Sequence, residues 1–447
     1  MAKKEIELKD IESIGNKKLS QLMYSEIANN KELYKKIEKM VLSSNPKELV
    51  KAIKRDIASI RRGSKFIDYY ASFEFAQKVQ NIVDNIVLNV EDKQSAAKLF
   101  KELVLTDSKV YLRSDDSSGI IQSSYLSARE AWLSCVDVLS DEEIYNDIKE
   151  MLVCEGFGTR DIFSESIPKT VLERLYDEYL LLENHKEIDL FDRICLLKDT
   201  AHYLKEPKKY EDAVRLNREE LYDSDIINIA TEYQYANQPK KILEILHSID
   251  GIDNYKAKDF YRLQVWAYTQ LNEPLNVTLA YKNWYEKSKS VEALKLYLER
   301  VEGEMYEKVK NEALTYAQTL SLGEALNFFF ELDEKQLAAN YIFTDKERFM
   351  LQYIADTQLK KVIKWLEKEY PQETILLYRG VCEQALATSI SKHYPRAIKA
   401  LKATIEIEKK HDISSWKIEE NALYLSTLLE KHKKKSKFLQ LFEKLNP

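Results

Sequence analysis

Glycine, proline and cysteine are all scarce in this sequence of 447 residues, which contains 9, 8 and 4 of them respectively. Chains built from sheets and tight turns use more glycine and proline than this, so we expect an all-α fold. The cysteines show no paired short spacing, which argues against a zinc knuckle or a disulfide framework and favours reduced, mostly buried thiols. They are Cys135, Cys154, Cys195 and Cys382.

The sequence also lacks a large excess of one charge and any long apolar run. Its 68 basic and 74 acidic side chains leave a net charge of -6, so no overall field attracts nucleic acid or an anionic membrane. No apolar run approaches the roughly 18 residues that a membrane span requires. The first residues alternate in charge instead of forming an apolar signal core. We therefore expect a cytoplasmic protein that does not associate with membranes.

Familiar catalytic motifs are missing as well. The sequence contains no phosphate-binding glycine loop, no His-Glu-x-x-His, no nucleophile elbow and no Cys-x-x-Cys. Its 6 histidines are scattered without ligand spacing. From the sequence we assign no catalytic residue, no metal and no cofactor.

A recurring turn dominates the middle of the chain. Pro207, Pro239 and Pro274 each follow a polar turn, at intervals of 32 and 35 residues. This is the spacing of helical-hairpin repeats, and proline suits the first position of the second helix. We predict a right-handed superhelix of antiparallel helical hairpins, a tetratricopeptide-like α-solenoid, spanning residues 166–447 with capping helices at its C-terminal end. An irregular helical domain, residues 1–165, precedes it.

One polar segment interrupts the helical pattern of the first third of the chain, and we call residues 110–119 the DDSSG loop. Ser117 or Ser118 could cap the helix that follows, with aspartates near the positive end of that helix. This interpretation leaves Arg113 unexplained. A glycine-containing segment at 155–161 could face the loop and supply an arginine to pair with the aspartates. The candidate functional or structural residues are Arg113, Asp115, Asp116, Ser117, Ser118, Gly119, Gly156, Gly158 and Arg160.

Two adjacent carboxylates could instead bind Mg²⁺ or Ca²⁺. A divalent site usually draws its ligands from several segments, and the D-x-D-x-D-G spacing of a calcium loop is absent. We favour a loop-to-loop ion pair and a helix cap as the use of these charges.

A basic cluster at residues 51–65 is followed closely by aromatic residues at 66–75. Such a pattern can bind phosphates and stack on bases. However, Tyr69 and Phe73 share a helical period with the apolar residues that follow them, so we interpret these rings as core and the basic residues as a solvated face. The candidate basic-aromatic patch comprises Arg61, Arg62, Lys65, Tyr69 and Tyr70.

Three segments together resemble a bacterial family known only as a domain of unknown function. They are RGSKFIDY at 62–69, VYLRSDDSSG at 110–119 and EGFG at 155–158. The C-terminal segments LLYR at 376–379 and YPRAIKAL at 394–401 are similar to helical regions attached to some SWIM zinc-finger proteins. The Cys-x-Cys and Cys-x-His zinc motif of those proteins is absent here. The resemblance therefore implies a helical, repeat-like protein, with no activity and no zinc to carry over.

Repeat architecture without catalytic motifs favours a non-enzymatic scaffold or adaptor that binds a protein or peptide in the groove of the repeats. The 28 tyrosines suit both hairpin packing and peptide recognition. A competing hypothesis is an enzyme or ligand-binding module that uses Arg113, Asp115 and Asp116. Nucleic-acid binding through the basic-aromatic patch is a weaker alternative, and we do not expect nucleic acid as the partner.

Overall fold

In the computed structural model, the described residues are 16–27, 30–42, 45–153, 162–181, 190–216, 220–344, 356–388 and 390–445. These ranges are helical and contain no β-strand beyond one isolated bridge, so the predicted all-α class is confirmed. The chain divides into two compact units, Met1–Gln238 and Pro239–Pro447. The domain boundary predicted at residue 165 remains a prediction, because compactness alone does not show where a functional domain begins.

The first unit begins with a group of helices that pack around α4. Helix α4 contacts α2, α3, α5 and α7, and it buries the apolar stripe formed by Ala76, Val79, Ile82, Val83 and Ile86. Helix α3 begins with Asn45 at the N-cap and Pro46 at the first helical position. The helices are α1 (Asn16–Ile27), α2 (Lys31–Leu42), α3 (Pro46–Arg62), α4 (Tyr69–Asn89), α5 (Lys93–Val104), α6 (Asp107–Tyr111), α7 (Ile120–Leu133), α8 (Asp141–Val153), α9 (Lys169–Leu181), α10 (Leu190–Leu204), α11 (Pro207–Arg215) and α12 (Asp223–Tyr235).

In the second unit each helix packs against the next helix of the chain or the next but one. One continuous apolar core runs through this unit from Ala257 to Phe442. The helices are α13 (Pro239–Leu246), α14 (Asn254–Gln270), α15 (Pro274–Ser288), α16 (Val291–Leu298), α17 (Gly303–Ala317), α18 (Leu322–Glu331), α19 (Lys335–Thr344), α20 (Asp356–Leu366), α21 (Pro371–Ala387), α22 (Tyr394–Glu408), α23 (Asn421–Lys431) and α24 (Ser436–Glu443).

One type of joint recurs along the chain. A helix ends at a residue with positive φ, and the amide of the next residue donates to a carbonyl five residues earlier, which is the Schellman arrangement. The positive-φ residues are Lys205, Asn237, Asn272 and Asp333, and the corresponding hydrogen bonds measure 3.1, 2.9, 2.9 and 2.8 Å. The next helix then begins two residues later. The sequence predicted the three joints followed by proline and missed the fourth, where lysine takes the place of proline.

Polar contacts tie helices of the second unit together at a regular separation along the chain. Lys258 pairs with Glu292 at 2.7 Å, and Lys295 pairs with Glu331 at 2.9 Å. The Tyr370 hydroxyl donates to Gln336 Oε1 at 3.1 Å. These partners lie 34, 36 and 34 residues apart.

Candidate functional site

The DDSSG loop is attached to the segment between α3 and α4 by a short parallel bridge. The amide of Ile67 donates to the carbonyl of Arg113, and the amide of Asp115 donates to the carbonyl of Ile67, each at 2.8 Å. Because Ile67 is buried, this bridge also anchors the loop to the core. Two segments almost 50 residues apart are thereby held side by side.

Arg113, which the sequence left unexplained, closes the C-terminal end of α3. Its guanidinium donates to the carbonyls of Lys65, at 2.9 Å, and Ile60, at 3.3 Å. It also lies over the ring of Phe75, 5.4 Å from the centroid. A cation at this position stabilises the negative end of the helix. A Cβ atom at Gly63 would lie 2.8 Å from Arg113 Nη2, so the glycine leaves the room that the guanidinium occupies.

Asp116 caps α7. Its two carboxylate oxygens accept hydrogen bonds from the amides of Ile121 and Gln122 at 2.9 and 2.8 Å. The prediction that Ser117 or Ser118 provides this cap is wrong, because Gly119 occupies the N-cap position with φ of 71° and Asp116 reaches over it. Aspartate is favoured here by the positive end of the helix, as the sequence indicated.

Asp115 has a local role within the loop. Its carboxylate accepts from the amide and the hydroxyl of Ser117 at 3.2 and 2.8 Å. This arrangement is an Asx turn, which stabilises an exposed polar loop. The facing residues Gly156, Gly158 and Arg160, and therefore the predicted ion pair with the loop, lie outside the described residues.

A buried polar layer, which sequence reasoning missed, lies next to the loop. Arg129 on α7 forms an ion pair with Asp107 on α6, and both side chains are almost fully buried. The hydroxyls of Thr106 and Tyr125 are 2.6 Å apart, and burial raises the pKa of Tyr125. Helical periodicity could not identify the partners of Tyr125 and Arg129, because they lie at the start of a different helix.

The basic-aromatic patch differs from its predicted structure. Tyr69 and Phe73 are 41% and 46% exposed, so their interpretation as core is wrong: α4 buries a neighbouring face instead. We define the aromatic surface as Phe66, Tyr69, Tyr70 and Phe73. Phe66 and Tyr70 are 61% and 85% exposed. Tyr69 makes edge-to-face contacts with Tyr70 and Phe73 at centroid distances of 5.5 and 5.8 Å.

The basic members of the patch fall into two groups. Arg61 donates to the carbonyl of Glu102 at 3.3 Å, and the nearby Lys54 pairs with the carboxylate of the same residue at 2.6 Å. These contacts join α3 to α5. Arg62 and Lys65 are exposed, four residues and one residue before Phe66 in the chain.

A cavity of about 490 Å³ adjoins the aromatic surface. Its apolar wall includes Phe66, Ile67 and Phe75, and its polar wall includes Lys65 and Arg113. The remaining lining residues are Ala71, Glu74, Gln77, Lys78 and Asn81. The cavity therefore combines an aromatic interior with a predominantly cationic lining.

The chain was compared with models of known families and with curated proteins. The model described as a family of unknown function, DUF6880, matches residues 1–181 and 213–441. The chain belongs to this family. No curated protein matches the chain. The DUF6880 match includes the DDSSG loop, the aromatic surface and the joints at Asn237, Asn272 and Asp333, so these features lie within the part of the chain that defines its membership.

The cysteines have the predicted character where the structure describes them. Cys135 and Cys382 are buried, Cys195 is partly exposed, and all three are free thiols. Burial raises the pKa of Cys382 to about 12. Cys154 lies outside the described residues.

Neither a metal-binding cluster nor a membrane-spanning helix is found in the described ranges. No three histidine, cysteine, aspartate or glutamate side chains in these ranges are grouped so that they could hold a metal ion. None of the helices in the same ranges is long and apolar enough to cross a membrane.

Proposed function

We propose that this DUF6880 chain is a non-enzymatic scaffold or adaptor, whose helical hairpins form a right-handed, tetratricopeptide-like superhelix that binds a protein or peptide in its groove. The observation that carries the proposal is the recurring joint. The positive-φ residues at 205, 237, 272 and 333 are separated by 32, 35 and 61 residues, which corresponds to one, one and two hairpin repeats.

The regular contact separation supports the same architecture. In a repeat array each hairpin contacts only its neighbours, so contacts between helices recur at about one repeat length. The ion pairs Lys258–Glu292 and Lys295–Glu331 follow this rule. The Tyr370 hydroxyl follows it as well, since it donates to Gln336 Oε1, 34 residues earlier, at 3.1 Å.

Exposed apolar side chains on α15 support a role in binding. Leu275 and Leu279 lie one turn apart on the same face of this helix and are 85% and 49% exposed. Apolar groups grouped at the surface of a repeat helix are typical of protein contact sites.

The DDSSG loop is not proposed as a catalytic or ligand site. Arg113 donates to backbone carbonyls, Asp116 accepts from backbone amides, and Asp115 accepts from Ser117. These contacts give each charged side chain a structural use.

The test begins with purification of the tagged full-length chain from its source organism and identification of any protein retained in a fixed ratio. The purified partner is then titrated calorimetrically against the wild type and the Leu275→Glu, Leu279→Glu double variant. We expect the double variant to weaken binding by at least about 10-fold, since it places charges in an apolar contact.

The matched control is Leu88→Glu, which changes a leucine that is 77% exposed on α4, outside the proposed array. Wild-type affinity in this control would confirm that the array carries the contact. The proposal would be contradicted by the absence of any protein retained in a fixed ratio, or by a partner that binds the double variant as tightly as the wild type.

A further inference from the structure

The aromatic surface is exposed although the fold does not require it to be. Helix α4 already packs its apolar stripe against its neighbours, and Tyr69, Tyr70 and Phe73 are not among the residues that it buries. Four large rings exposed within a stretch of eight residues form an apolar patch of the kind that marks an interaction site. The edge-to-face contacts of Tyr69 hold three of these rings together as one surface.

This surface continues into the cavity. Tyr70, Glu74 and Gln77 lie on one row of α4, three or four residues apart, and the last two line the cavity. Phe66 belongs to both features, because it is 61% exposed and lines the cavity. Tyr70 therefore lies at the rim of the cavity, whose volume is sufficient for one large side chain and its neighbours.

The charges around the cavity indicate the chemistry of its occupant. Arg61, Lys78 and Arg113 already donate hydrogen bonds to oxygen atoms of the protein. Arg62 and Lys65 are exposed. A nucleic-acid backbone would need more available cations than this, because its affinity comes from neutralising a run of phosphates. One or two carboxylates beside an apolar group match the two exposed cations and the aromatic wall.

We propose that the aromatic surface and the cavity dock a short segment of a partner protein, in which an aromatic or branched aliphatic side chain lies beside one or two acidic residues. The apolar side chain enters the cavity between Phe66 and Phe75 and packs against Tyr70 at the rim. The carboxylates contact Lys65 and Arg62. This site lies on the N-terminal helices and does not depend on the groove proposed for the repeats.

The test uses a random library of 12-residue peptides displayed on phage and selected against the full-length chain. We expect the selected sequences to share an aromatic or branched aliphatic residue within three positions of an aspartate or glutamate. One selected peptide is then synthesised with a fluorescein label, and its affinity is measured by fluorescence anisotropy.

The variants separate this site from other surfaces. Tyr70→Ala and Phe66→Ala should each weaken binding of the labelled peptide by at least about 10-fold, because buried aromatic anchors dominate such contacts. Lys65→Glu should also weaken binding of the peptide, and more strongly at low salt. The repulsion between the introduced glutamate and the acidic residue of the peptide is then less screened. The matched control is Tyr255→Ala, which removes a tyrosine that is 76% exposed in the second unit and should leave the affinity unchanged.

Several results would overturn the proposal. It fails if selection enriches no peptide, or enriches peptides that bind Tyr70→Ala and wild type equally. A labelled single-stranded oligonucleotide of 12 deoxythymidines that binds tightly and loses affinity in Tyr70→Ala would assign the surface to nucleic acid. A concentration-dependent dimer that Tyr70→Ala abolishes, measured by light scattering, would assign it to a second copy of the chain.

Discussion

Arg113 joins three features that are separate in the sequence. Its side chain binds the end of α3, its carbonyl accepts from Ile67, and its guanidinium occupies space left by Gly63. The φ of Gly63 is -62°, which any residue can adopt, so the glycine is required here by close approach and not by backbone conformation. The role of Gly63 therefore depends on Arg113.

This dependence predicts a coupling between the two residues. Gly63→Ala should lower the free energy of unfolding by about 1 kcal/mol, because the new Cβ displaces the guanidinium from the carbonyl of Ile60. In the Arg113→Ala background the same change should cost less, since the guanidinium is gone and only the 3.3 Å approach of the new Cβ to the carbonyl oxygen of Ile60 remains. Urea denaturation of the four proteins of this double-mutant cycle measures the coupling, and purely additive effects would show that the two residues are independent.

Glu373, in the first turn of α21, predicts a pH dependence of stability. The residue is 8% exposed, and burial raises the pKa of its carboxyl above the usual 4.5. Between pH 4.5, the ordinary pKa that applies to the unfolded chain, and the raised pKa of the folded state, Glu373 holds its proton more fully when the protein is folded. The free energy of unfolding therefore falls as pH rises through this window. Glu373→Gln should remove that loss of stability, which is about 1.4 kcal/mol for each unit by which burial raises the pKa of Glu373.

The measurement is the free energy of unfolding of Glu373→Gln minus that of wild type, from pH 4 to pH 8. The difference should grow with pH. Glu304→Gln removes an exposed carboxylate from the first turn of α17 and is the matched control. A difference for Glu373→Gln that does not grow with pH beyond that of the control would show that the carboxyl is not destabilised by burial.

Among the helices, α7 depends on a residue four positions before its first residue, Ile120. Asp116 reaches past Ser117, Ser118 and Gly119 to accept from the amides of Ile121 and Gln122. The positive φ of Gly119 turns the chain so that this contact forms. The cap is therefore a property of the whole DDSSG loop.

The two aspartates should accordingly have unequal effects on stability. Asp116→Ala should lower the free energy of unfolding by about 1 to 2 kcal/mol, the cost of losing a helix cap. Asp115→Ala should lower the free energy of unfolding less, because the Asp115 carboxylate accepts its hydrogen bonds from Ser117, in the same exposed turn. Thermal and urea denaturation of both variants test this order. Equal losses would show that Asp116 does not act as the cap.

The sequence predicts where helices begin and end better than it predicts which residues pack against one another. Proline after a polar turn correctly marked the joints at Lys205, Asn237 and Asn272, because both signals are local. Tyr69 and Phe73 were misassigned because helical periodicity shows which residues share a face but not whether another element covers it. The ion pair between Asp107 and Arg129 was missed for a similar reason, since it forms between two helices.

For the whole molecule, the account depends on stacked repeats. The joints occur in both units, the contacts at a separation of one repeat occur in the second unit, and the superhelix is proposed from their regularity. A superhelix of this kind extends as repeats are added, whereas a globular domain grows around one core.

Small-angle X-ray scattering of the monomeric full-length chain tests this claim most directly. A compact chain of 447 residues has a radius of gyration of about 22 Å. The account predicts a clearly larger value, with a distance distribution that has a long tail. A radius of gyration near 22 Å with a symmetric distribution would contradict the superhelix and the groove proposed to bind its partner.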